Sequence, residues 1–364
     1  MKLLQILYPG LGGHSSVAFS LIEGDSENVA EHSLLGYGIE EPSEMLVAKT
    51  AELNVPFVAV KKKNGFAWTS QREVYRYLKK YRPDAIIMHS TSLIFVLFFY
   101  ALFHQVKWMA VEHQSNHAKT KLDWIYTFFI LMLAPKVVYL TNDYQREIKE
   151  KFPWIFQDRK TFVIPNGINT AKFKPAEKNK TDGQWVFSMI SRLTPLRDHK
   201  TLLTAFSEIL KSYPAKLYIA GDGTTLPDLK ALTKELNIQD AVAFTGVLNE
   251  EEVIALLQQT DIYIHSSLAE NLSTSLLQAM ACKVPIIATD IQGINNLLKD
   301  ETDALLFEVS SSQDLVKKIY KLTEDFELCR TLTLNSYAKV LRSFTYKTTF
   351  SNYFQILIHG KIIL

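Results

Sequence analysis

Two arginines at the start of the second half of the chain have the charge and spacing to bind a diphosphate. Arg192 follows the apolar stretch 185–190, which reads as a strand, and Arg197 lies five residues further on. Guanidinium groups bind phosphate oxygens through paired hydrogen bonds and keep their charge at physiological pH. Two solvated arginines would satisfy the same pattern, so the spacing alone leaves both interpretations open.

A second polar segment, residues 270–278, could bind other parts of a phosphate-bearing ligand. Glu270 precedes a polar run that leads from a strand into an apolar helix, and Gln278 lies two turns into that helix. Backbone N–H groups at a helix start bind phosphate, and an amide can bond to a ribose hydroxyl. The structural alternative is a polar N-cap with an acidic residue beside it.

The first half of the chain offers a histidine and a glycine turn at strand ends. His113 follows the apolar stretch 106–112, and imidazole can bond to a sugar hydroxyl or move a proton near neutral pH. His14 is a second candidate of the same kind. Gly12 and Gly13 follow the first strand and would let the backbone approach a ligand. A strand-capping histidine and a tight strand-to-helix turn are the structural alternatives.

Composition and missing motifs argue against several classes of protein. The net charge of +2 argues against a nucleic-acid binder, and two cysteines, Cys282 and Cys329, exclude a disulfide scaffold. The sequence has no nucleophile elbow, no Walker loop and no Asp-x-Asp, which disfavours serine hydrolases, P-loop enzymes and metal-dependent transferases. No cluster of histidine, cysteine and carboxylate residues has ligand spacing, so no metal site is predicted.

These candidate residues lie in a repeated alternation of short apolar strands and helices. The alternation predicts α/β architecture with parallel sheets, interrupted by a Lys-rich linker at 172–183. The apolar stretches 92–103 and 124–135 are too short to span a membrane and are predicted to be buried helices. The predicted strands are 3–8, 55–60, 85–89, 106–112, 137–140, 161–164, 185–190, 216–220, 242–244, 262–265, 284–288 and 304–307.

Five segments resemble motifs of the family 4 glycosyltransferases. They are similar to the linker, the diphosphate-binding Arg…Lys motif, the glycine motif, the base-contacting strand and turn, and the pair of glutamates separated by seven residues. In that order they are residues 163–169, 191–197, 217–223, 242–246 and 270–278. The resemblance extends over essentially the whole chain.

The resemblance implies a GT-B fold, with two Rossmann-like, doubly wound parallel-sheet domains that face each other across a cleft. The N-terminal domain, residues 1–168 with a returning C-terminal helix in 345–364, would bind the acceptor. The C-terminal domain, residues 169–344, would bind a nucleotide sugar. Transfer in this family usually retains the anomeric configuration and needs no metal ion, so we expect no cofactor.

The resemblance also implies roles for individual residues. The catalytic residues would be His113 near the reacting carbon, Glu270 at the donor sugar, and Arg192 and Arg197 at the departing diphosphate. The donor-binding residues would be Gly12, Gly13, Gly246, Val247, Asn271, Leu272, Ser273, Thr274 and Gln278.

Two of these positions depart from the family pattern. Gln278 replaces the second glutamate, which usually accepts hydrogen bonds from the ribose. Because glutamine keeps an acceptor oxygen, we expect weaker or altered donor binding with the chemistry retained. Arg197 replaces a lysine, which keeps the charge and changes the geometry.

The segment 61–82 carries eight basic residues and one acidic residue, with aromatic residues among them. A basic helix with aromatic side chains can lie on an anionic membrane surface, and a solvated helix face is the alternative. We therefore predict a cytoplasmic protein that is peripheral at the inner face of the membrane.

The resemblance implies that the chain is a retaining, metal-independent hexosyltransferase. It would move a sugar from a nucleotide diphosphate sugar, UDP-linked by preference, to a glycan or lipid-linked acceptor in bacterial surface polysaccharide synthesis. Two alternatives stay open. One is a partner subunit of the same fold without turnover, and the other is a nucleotide-sugar epimerase or hydrolase.

Overall fold

The computed structural model of the chain describes residues 1–10, 13–62, 68–113, 119–177, 183–270 and 272–362. It divides into two compact units, residues 1–167 with 346–364 and residues 168–345. The boundaries predicted from the sequence differ from this division by one residue at each junction.

The first unit contains a parallel sheet of seven described strands. The strands are β1 (Lys2–Leu7), β2 (Glu31–Gly38), β3 (Phe57–Lys61), β4 (Ala85–Met88), β5 (Lys107–Glu112), β6 (Val137–Tyr139) and β7 (Thr161–Val163). The helices between them are α1 (Gly13–Gly24), α2 (Glu44–Glu52), α3 (Trp68–Tyr81), α4 (Ile94–Phe103), α5 (Lys121–Leu133) and α6 (Asn142–Lys151). The strand order is β3-β2-β1-β4-β5-β6-β7, which reverses direction between β1 and β4.

The second unit repeats this arrangement with six described strands. They are β8 (Trp185–Ile190), β9 (Ala215–Ala220), β10 (Val242–Gly246), β11 (Ile262–His265), β12 (Ile286–Thr289) and β13 (Leu305–Phe307). The helices are α7 (His199–Ile209), α8 (Leu226–Glu235), α9 (Glu250–Gln259), α10 (Thr274–Ala281), α11 (Gln292–Asn295), α12 (Ser312–Glu324) and α13 (Phe326–Ser343). The order β10-β9-β8-β11-β12-β13 reverses between β8 and β11. In open parallel sheets, ligands bind outside the carboxyl ends of the strands at such reversals.

The last helix, α14 (Tyr346–His359), returns to the first unit. It packs against α1, where a Cβ on Gly24 would lie only 2.2 Å from the carbonyl oxygen of Tyr346. Lys136 Nζ donates to the carbonyl oxygen of Leu357 at 3.0 Å, which satisfies an orphan acceptor at the end of α14. The predicted helix at the end of the chain is therefore present and belongs to this unit.

One strand of the first sheet was not predicted from the sequence. β2 begins with the polar pair Glu31 and His32 and contains Gly36 and Gly38, and both glutamate and glycine are poor strand formers. It nevertheless lies between β1 and β3, and a Cβ on Gly36 would touch the ring of Phe57 at 3.1 Å. Close packing against neighbouring elements therefore requires the glycine that weakens the sequence signal.

The prediction that 92–103 and 124–135 form buried helices is wrong in part. Both stretches are helical, but Phe99, Leu102 and Phe103 of α4 are 55%, 58% and 75% exposed. Ile125 and Met132 of α5 are also half exposed. The opposite faces of these helices do pack into the core of the unit. None of the described helices is both long and apolar enough to span a membrane.

A glycine turn after β9 supports the loop that carries Arg192. Gly221 and Gly223 have φ angles of +133° and +155°, which side-chain-bearing residues rarely adopt. A Cβ on Gly221 would lie 1.9 Å from the carbonyl oxygen of Ser191, and one on Gly223 would lie 2.2 Å from that of Leu193. The backbone N–H groups of Ser191 and Leu193 bond to this turn at 3.0 and 2.9 Å. Only glycine permits this approach.

We predict that Gly221→Ala lowers the free energy of unfolding by about 2–4 kcal/mol, because the new Cβ must displace the Ser191 carbonyl and the positive φ is strained. The matched control is Gly183→Ala, since Gly183 also has a positive φ of +63° but has nothing within 4 Å of its Cβ position. The control should cost only about 1–2 kcal/mol. Urea unfolding of both variants measures the difference, and equal losses would contradict the proposed close contact.

Candidate active site

Arg197 is paired with Glu270 by a two-pronged ion pair. Its Nη1 donates to Glu270 Oε2 at 2.7 Å, and its Nη2 lies 3.4 Å from Oε1. Nη1 also donates to Ser267 Oγ at 2.7 Å. The two charged side chains are only 18% and 9% exposed, so solvent screens their attraction weakly. The structure thus brings together two predicted catalytic residues, one from the loop after β8 and one from the segment after β11.

Glu270 is held from a second side by His265, the last residue of β11. The Nε2 of His265 lies 2.9 Å from Glu270 Oε2, and the histidine is 1% exposed. An ionised carboxylate only accepts hydrogen bonds, so Nε2 carries the hydrogen. Sequence reasoning missed His265, although a histidine at a strand end five residues before Glu270 was a signal of the same kind as His113. The carboxylate of Glu270 therefore has a fixed orientation.

Arg192 differs from Arg197 because it is exposed. Its guanidinium makes no ion pair with any of the residues that the structure describes. It extends from the loop between β8 and α7 at the point where the strand order reverses. Its charge is therefore available to an anionic ligand there.

A neutral histidine holds this loop to the start of α7. His199 Nδ1 lies 2.9 Å from the carbonyl oxygen of Arg197, and His199 Nε2 lies 3.0 Å from Ser191 Oγ. The carbonyl can only accept, so Nδ1 carries the hydrogen and Nε2 accepts from the hydroxyl. Burial lowers the pKa of His199 to about 4, despite opposing contributions from the Arg197 carbonyl and from Asp198. This residue, which sequence reasoning also missed, tethers both ends of the arginine loop without adding charge.

The predicted phosphate-binding turn lies at the start of α10. Ser273 is the N-cap, and its Oγ accepts from the N–H of Leu276 at 3.4 Å, so this hydroxyl already serves the helix. Thr274 is exposed, and Gln278 follows one helical turn later on the same face. Leu272 packs its side chain toward the core, so only its backbone can meet a ligand. Asn271, also predicted here, lies outside the described residues.

The predicted base-contacting residues lie at the end of β10. Gly246 has a φ of +74°, and its carbonyl oxygen accepts from the N–H of Gly221 at 2.7 Å. Val247 follows and is 79% exposed. An exposed apolar side chain beside a backbone turn suits contact with a flat ring.

In the first unit, His113 belongs to a cluster of histidines at the carboxyl ends of β1, β4 and β5. His113 Nε2 lies 2.8 Å from His89 Nδ1, and His89 Nε2 lies 3.0 Å from Gln5 Oε1. The ring of His14 lies against that of His113, with centroids 4.4 Å apart and ring planes tilted by 33°. Gly13 is the first residue of α1, and Gly12 lies outside the described residues.

His89 and Gln5 were missed by the sequence analysis. A histidine at the end of the predicted strand 85–89 and a glutamine inside an apolar strand were the signals that could have found them.

Burial keeps these three histidines neutral. It lowers the pKa of His14 to about 4 and of His89 to about 3, and that of His113 falls well below its ordinary value. Each proton would also face a neighbouring histidine, which lowers the pKa of His89 and His113 further. No group of three metal-binding side chains with suitable geometry is found among the described residues. The cluster can therefore offer hydrogen bonds, with no charge, at neutral pH.

A buried ion pair lies next to this cluster. Lys119 Nζ lies 2.8 Å from Glu112 Oε2, and the two side chains are 2% and 3% exposed. Thr127 Oγ1 bonds to both partners, at 2.9 and 3.2 Å. Glu112 is the last residue of β5 and directly precedes His113, so this pair fixes the strand end from which the histidine extends. Together with the histidines it lines a cavity of about 60 Å³.

Two family descriptions match this chain, one for each unit. The model of glycosyltransferase family 4 matches residues 11–172, and that of glycosyl transferases group 1 matches residues 170–339. The two matches together cover nearly the whole of both sheets. The chain belongs to glycosyltransferase family 4. The resemblance inferred from the motifs is thereby confirmed.

Some relatives of this family 4 glycosyltransferase have names that specify a lipid-borne acceptor. The UDP-Gal:alpha-D-GlcNAc-diphosphoundecaprenol alpha-1,3-galactosyltransferase of Escherichia coli is 26% identical over 74% of this chain and 75% of its own length. The alpha-monoglucosyldiacylglycerol synthase of Streptococcus pneumoniae is 30% identical. That match covers 46% of this chain and only 38% of the relative.

Solved structures confirm the predicted GT-B fold. A glycosyltransferase from Rickettsia africae superposes with a TM-score of 0.82 at 19% identity, and the match covers 98% of this chain and 97% of that one. Anabaena HepE in complex with UDP gives a TM-score of 0.80 at 17% identity, covering 98% and 99% of the two chains. At these identities the likeness shows the fold of this family 4 glycosyltransferase, while its substrates remain proposals.

We predict that Lys119→Met lowers the free energy of unfolding by about 3–5 kcal/mol, because it leaves the Glu112 carboxylate buried without its counter-ion. The double variant Glu112→Gln, Lys119→Met should recover most of that loss, since no buried charge remains. Thermal and urea unfolding measure both.

The matched control for this pair is Lys211→Met, which removes an exposed ion pair with Glu208. It should cost less than about 1 kcal/mol. A loss for Lys119→Met as small as that of the control would show that the buried pair does not hold the end of β5.

Proposed function

We propose that this glycosyltransferase moves a hexose from a UDP-linked sugar to a glycan or lipid-linked acceptor, with retention of the anomeric configuration and without a metal ion. The role we assign it is bacterial surface polysaccharide synthesis, at the cytoplasmic face of the membrane. The observation that carries the proposal is the Arg197–Glu270 ion pair, with the exposed Arg192 on the same loop, where the second sheet reverses its strand order. In this proposal the second unit binds the donor and the first unit binds the acceptor.

Relatives support the choice of donor and acceptor. The name of the Escherichia coli relative specifies UDP-galactose and a sugar carried on diphosphoundecaprenol. Anabaena HepE has been crystallised with UDP and glucose. A uridine diphosphate donor and a lipid-linked acceptor are therefore the substrates that we propose for this chain.

The two arginines would contribute unequally to the reaction. When the sugar leaves, negative charge accumulates on the diphosphate, and fixed positive groups stabilise it. Arg197 shares its charge with Glu270, so much of its field is neutralised by the carboxylate. Arg192 has no such partner among the described residues, and we assign it the larger share of leaving-group stabilisation.

The remaining residues would bind the donor. Glu270, held in a fixed orientation, would accept hydrogen bonds from hydroxyls of the transferred sugar. Backbone N–H groups from Leu272 to Thr274 would hold a phosphate, and Gln278 would meet the ribose. Gly246 and Val247 would lie against the base. In the first unit, His113 would contact the sugar that is transferred.

One observation favours a second candidate function. Gln278 stands where the family usually has glutamate, and glutamine offers the ribose one acceptor oxygen and no charge. A protein that binds donors weakly could serve as a partner subunit without turnover. Turnover of a nucleotide sugar distinguishes the two candidates, and product formation without an acceptor would identify an epimerase or hydrolase.

A surface of the first unit supports the proposed contact with a membrane. The basic residues Arg72, Arg76, Lys79 and Lys80 of α3 are all exposed. A depression of about 600 Å³ between α3 and α4 is lined by Trp68, Arg72, Tyr75, Phe95 and Phe99, among others. The exposed Trp68, Phe99, Leu102 and Phe103 lie on these same helices. Exposed aromatic side chains beside basic ones are typical of surfaces that dock on anionic lipid.

We predict that Arg192→Ala lowers kcat by about 10²–10³-fold, because one electrostatic donor to the leaving group is lost. Arg192→Lys should give an intermediate rate, since it keeps the charge and loses the planar fork. Release of UDP from a panel of UDP-sugars, with calorimetry of UDP binding, measures both effects.

The control for this experiment is Lys230→Ala, which removes an exposed charge from α8 of the same unit. Its kcat should equal that of the wild-type protein. Unchanged turnover in Arg192→Ala would remove this residue from the site, and UDP binding without turnover in the wild type would favour the partner-subunit function.

We also predict that Lys79→Glu, Lys80→Glu weakens binding to phosphatidylglycerol vesicles at least tenfold, because each basic residue near an anionic surface contributes about 1 kcal/mol. Phe99→Ser, Phe103→Ser should weaken binding without changing the charge. Vesicle sedimentation measures both variants. The charge-matched control is Lys230→Glu, Lys234→Glu on α8, and equal losses in control and test variants would argue against this surface.

A further inference from the structure

A continuous chain of hydrogen bonds runs from the core of the first unit to His113. Gln5 Nε2 donates to the carbonyl oxygen of Ala18 at 3.2 Å, and Gln5 Oε1 lies 3.0 Å from His89 Nε2. His89 Nδ1 then lies 2.8 Å from His113 Nε2. Gln5 and His89 are both completely buried. None of the roles assigned above uses Gln5 or His89, and two buried polar side chains in a sheet core need a reason.

The chain has only one consistent direction for its hydrogens. The carbonyl oxygen of Ala18 can only accept, so the amide nitrogen of Gln5 faces it and the amide oxygen faces His89. His89 Nε2 must therefore carry the hydrogen of that ring. His89 Nδ1 is then a lone pair, and His113 Nε2 must donate to it. This leaves Nδ1 of His113 without a hydrogen.

The direction of these hydrogen bonds is fixed because the histidine rings are neutral. The ring of His14 adds a hydrogen-bond donor beside His113. A doubly protonated His89 would place an N–H against the N–H of His113, and burial, with the neighbouring His14, holds the pKa of His89 at about 3. His14 Nδ1 accepts from the N–H of Tyr8 at 3.4 Å, so His14 Nε2 carries a hydrogen. The two adjacent rings thus offer a donor from His14 and an acceptor from His113. A sugar hydroxyl can use both, because it donates one hydrogen and accepts another.

We propose that Gln5 and His89 are positioning residues that fix His113 in the Nε2–H tautomer, so that its Nδ1 accepts a hydrogen bond from a sugar hydroxyl while His14 Nε2–H donates to the same oxygen. The proposal rests on the proposed function, because it takes the ligand at His113 to be the sugar. It identifies Nδ1 as the nitrogen of His113 that contacts the sugar. It also gives a role to Gln5 and His89, which do not contact the sugar themselves.

The tautomer can be read without any substrate. In ¹⁵N-histidine-labelled full-length protein, long-range ¹⁵N–¹H correlation spectra distinguish Nε2–H from Nδ1–H rings, and the His113→Gln variant assigns the signal. We expect His113 in the Nε2–H form. An Nδ1–H form of His113 in the wild-type protein would overturn the proposal.

Two substitutions that each place an amide at position 89 distinguish a positioning role of His89 from a purely structural one. The amide of His89→Asn places an oxygen near the former Nδ1, where it can still accept from His113. The amide of His89→Gln reaches the former Nε2 position and offers His113 no acceptor. We expect His89→Gln to lower kcat at least tenfold with a mixed tautomer at His113. His89→Asn should recover most of the rate and the Nε2–H signal.

A purely structural role would give a different result. It would lower the melting temperature of both variants and leave no difference between them in kcat or in the His113 signal, which would overturn the proposal. The same two substitutions at His113 provide a further test. His113→Asn should be more active than His113→Gln if Nδ1 is the nitrogen that contacts the sugar. Absence of turnover in the wild-type protein would overturn the proposed function, whereas the spectra, which need no substrate, decide the tautomer independently.

Discussion

The ion pair between Arg197 and Glu270 is the interaction on which the second unit's site depends. It joins the loops that follow β8 and β11, the two strands between which the sheet reverses its order. His265 and Ser267 complete the pair's hydrogen bonds, so that a largely buried pair is also a satisfied one. The constraint on these loops in turn fixes where Arg192 leaves the backbone, close to the glycine turn that only Gly221 and Gly223 allow.

The two units position polar groups at the same place in the fold by opposite electrostatic means. In the second unit, charged groups lie at the strand ends, as expected for a surface that meets a diphosphate. In the first unit, buried neutral histidines form a directed chain of hydrogen bonds with Gln5. Burial makes each of these rings hard to protonate, which preserves the direction of the chain. The charged groups of the second unit suit an anion, and the neutral histidines of the first unit suit an uncharged hydroxyl.

Local signals made much of the fold predictable. Strands that are buried on both faces are continuous apolar runs, and all twelve predicted strands overlap observed ones by three residues or more. The prediction failed where packing overrode propensity. β2 needs Gly36 to pass the ring of Phe57, and α4 has the composition of a buried helix although Phe99 and Phe103 are exposed. Neither case can be recognised from local composition, because the packing of a strand or helix depends on which neighbouring elements it meets.

Residue type and spacing by themselves determined the α/β class, the two-domain organisation and the family, because the motifs 191–197, 217–223 and 270–278 carry charges, glycines and a helix cap at fixed distances along one chain. The tertiary structure decided which side chains bond to each other. It showed that Arg197 is committed to Glu270 while Arg192 is exposed, and that His113 is bonded to His89 across 24 residues of sequence. Hydrogen bonds and ion pairs act over about 3 Å, and the distance between two side chains from different strands is set only when the sheet assembles.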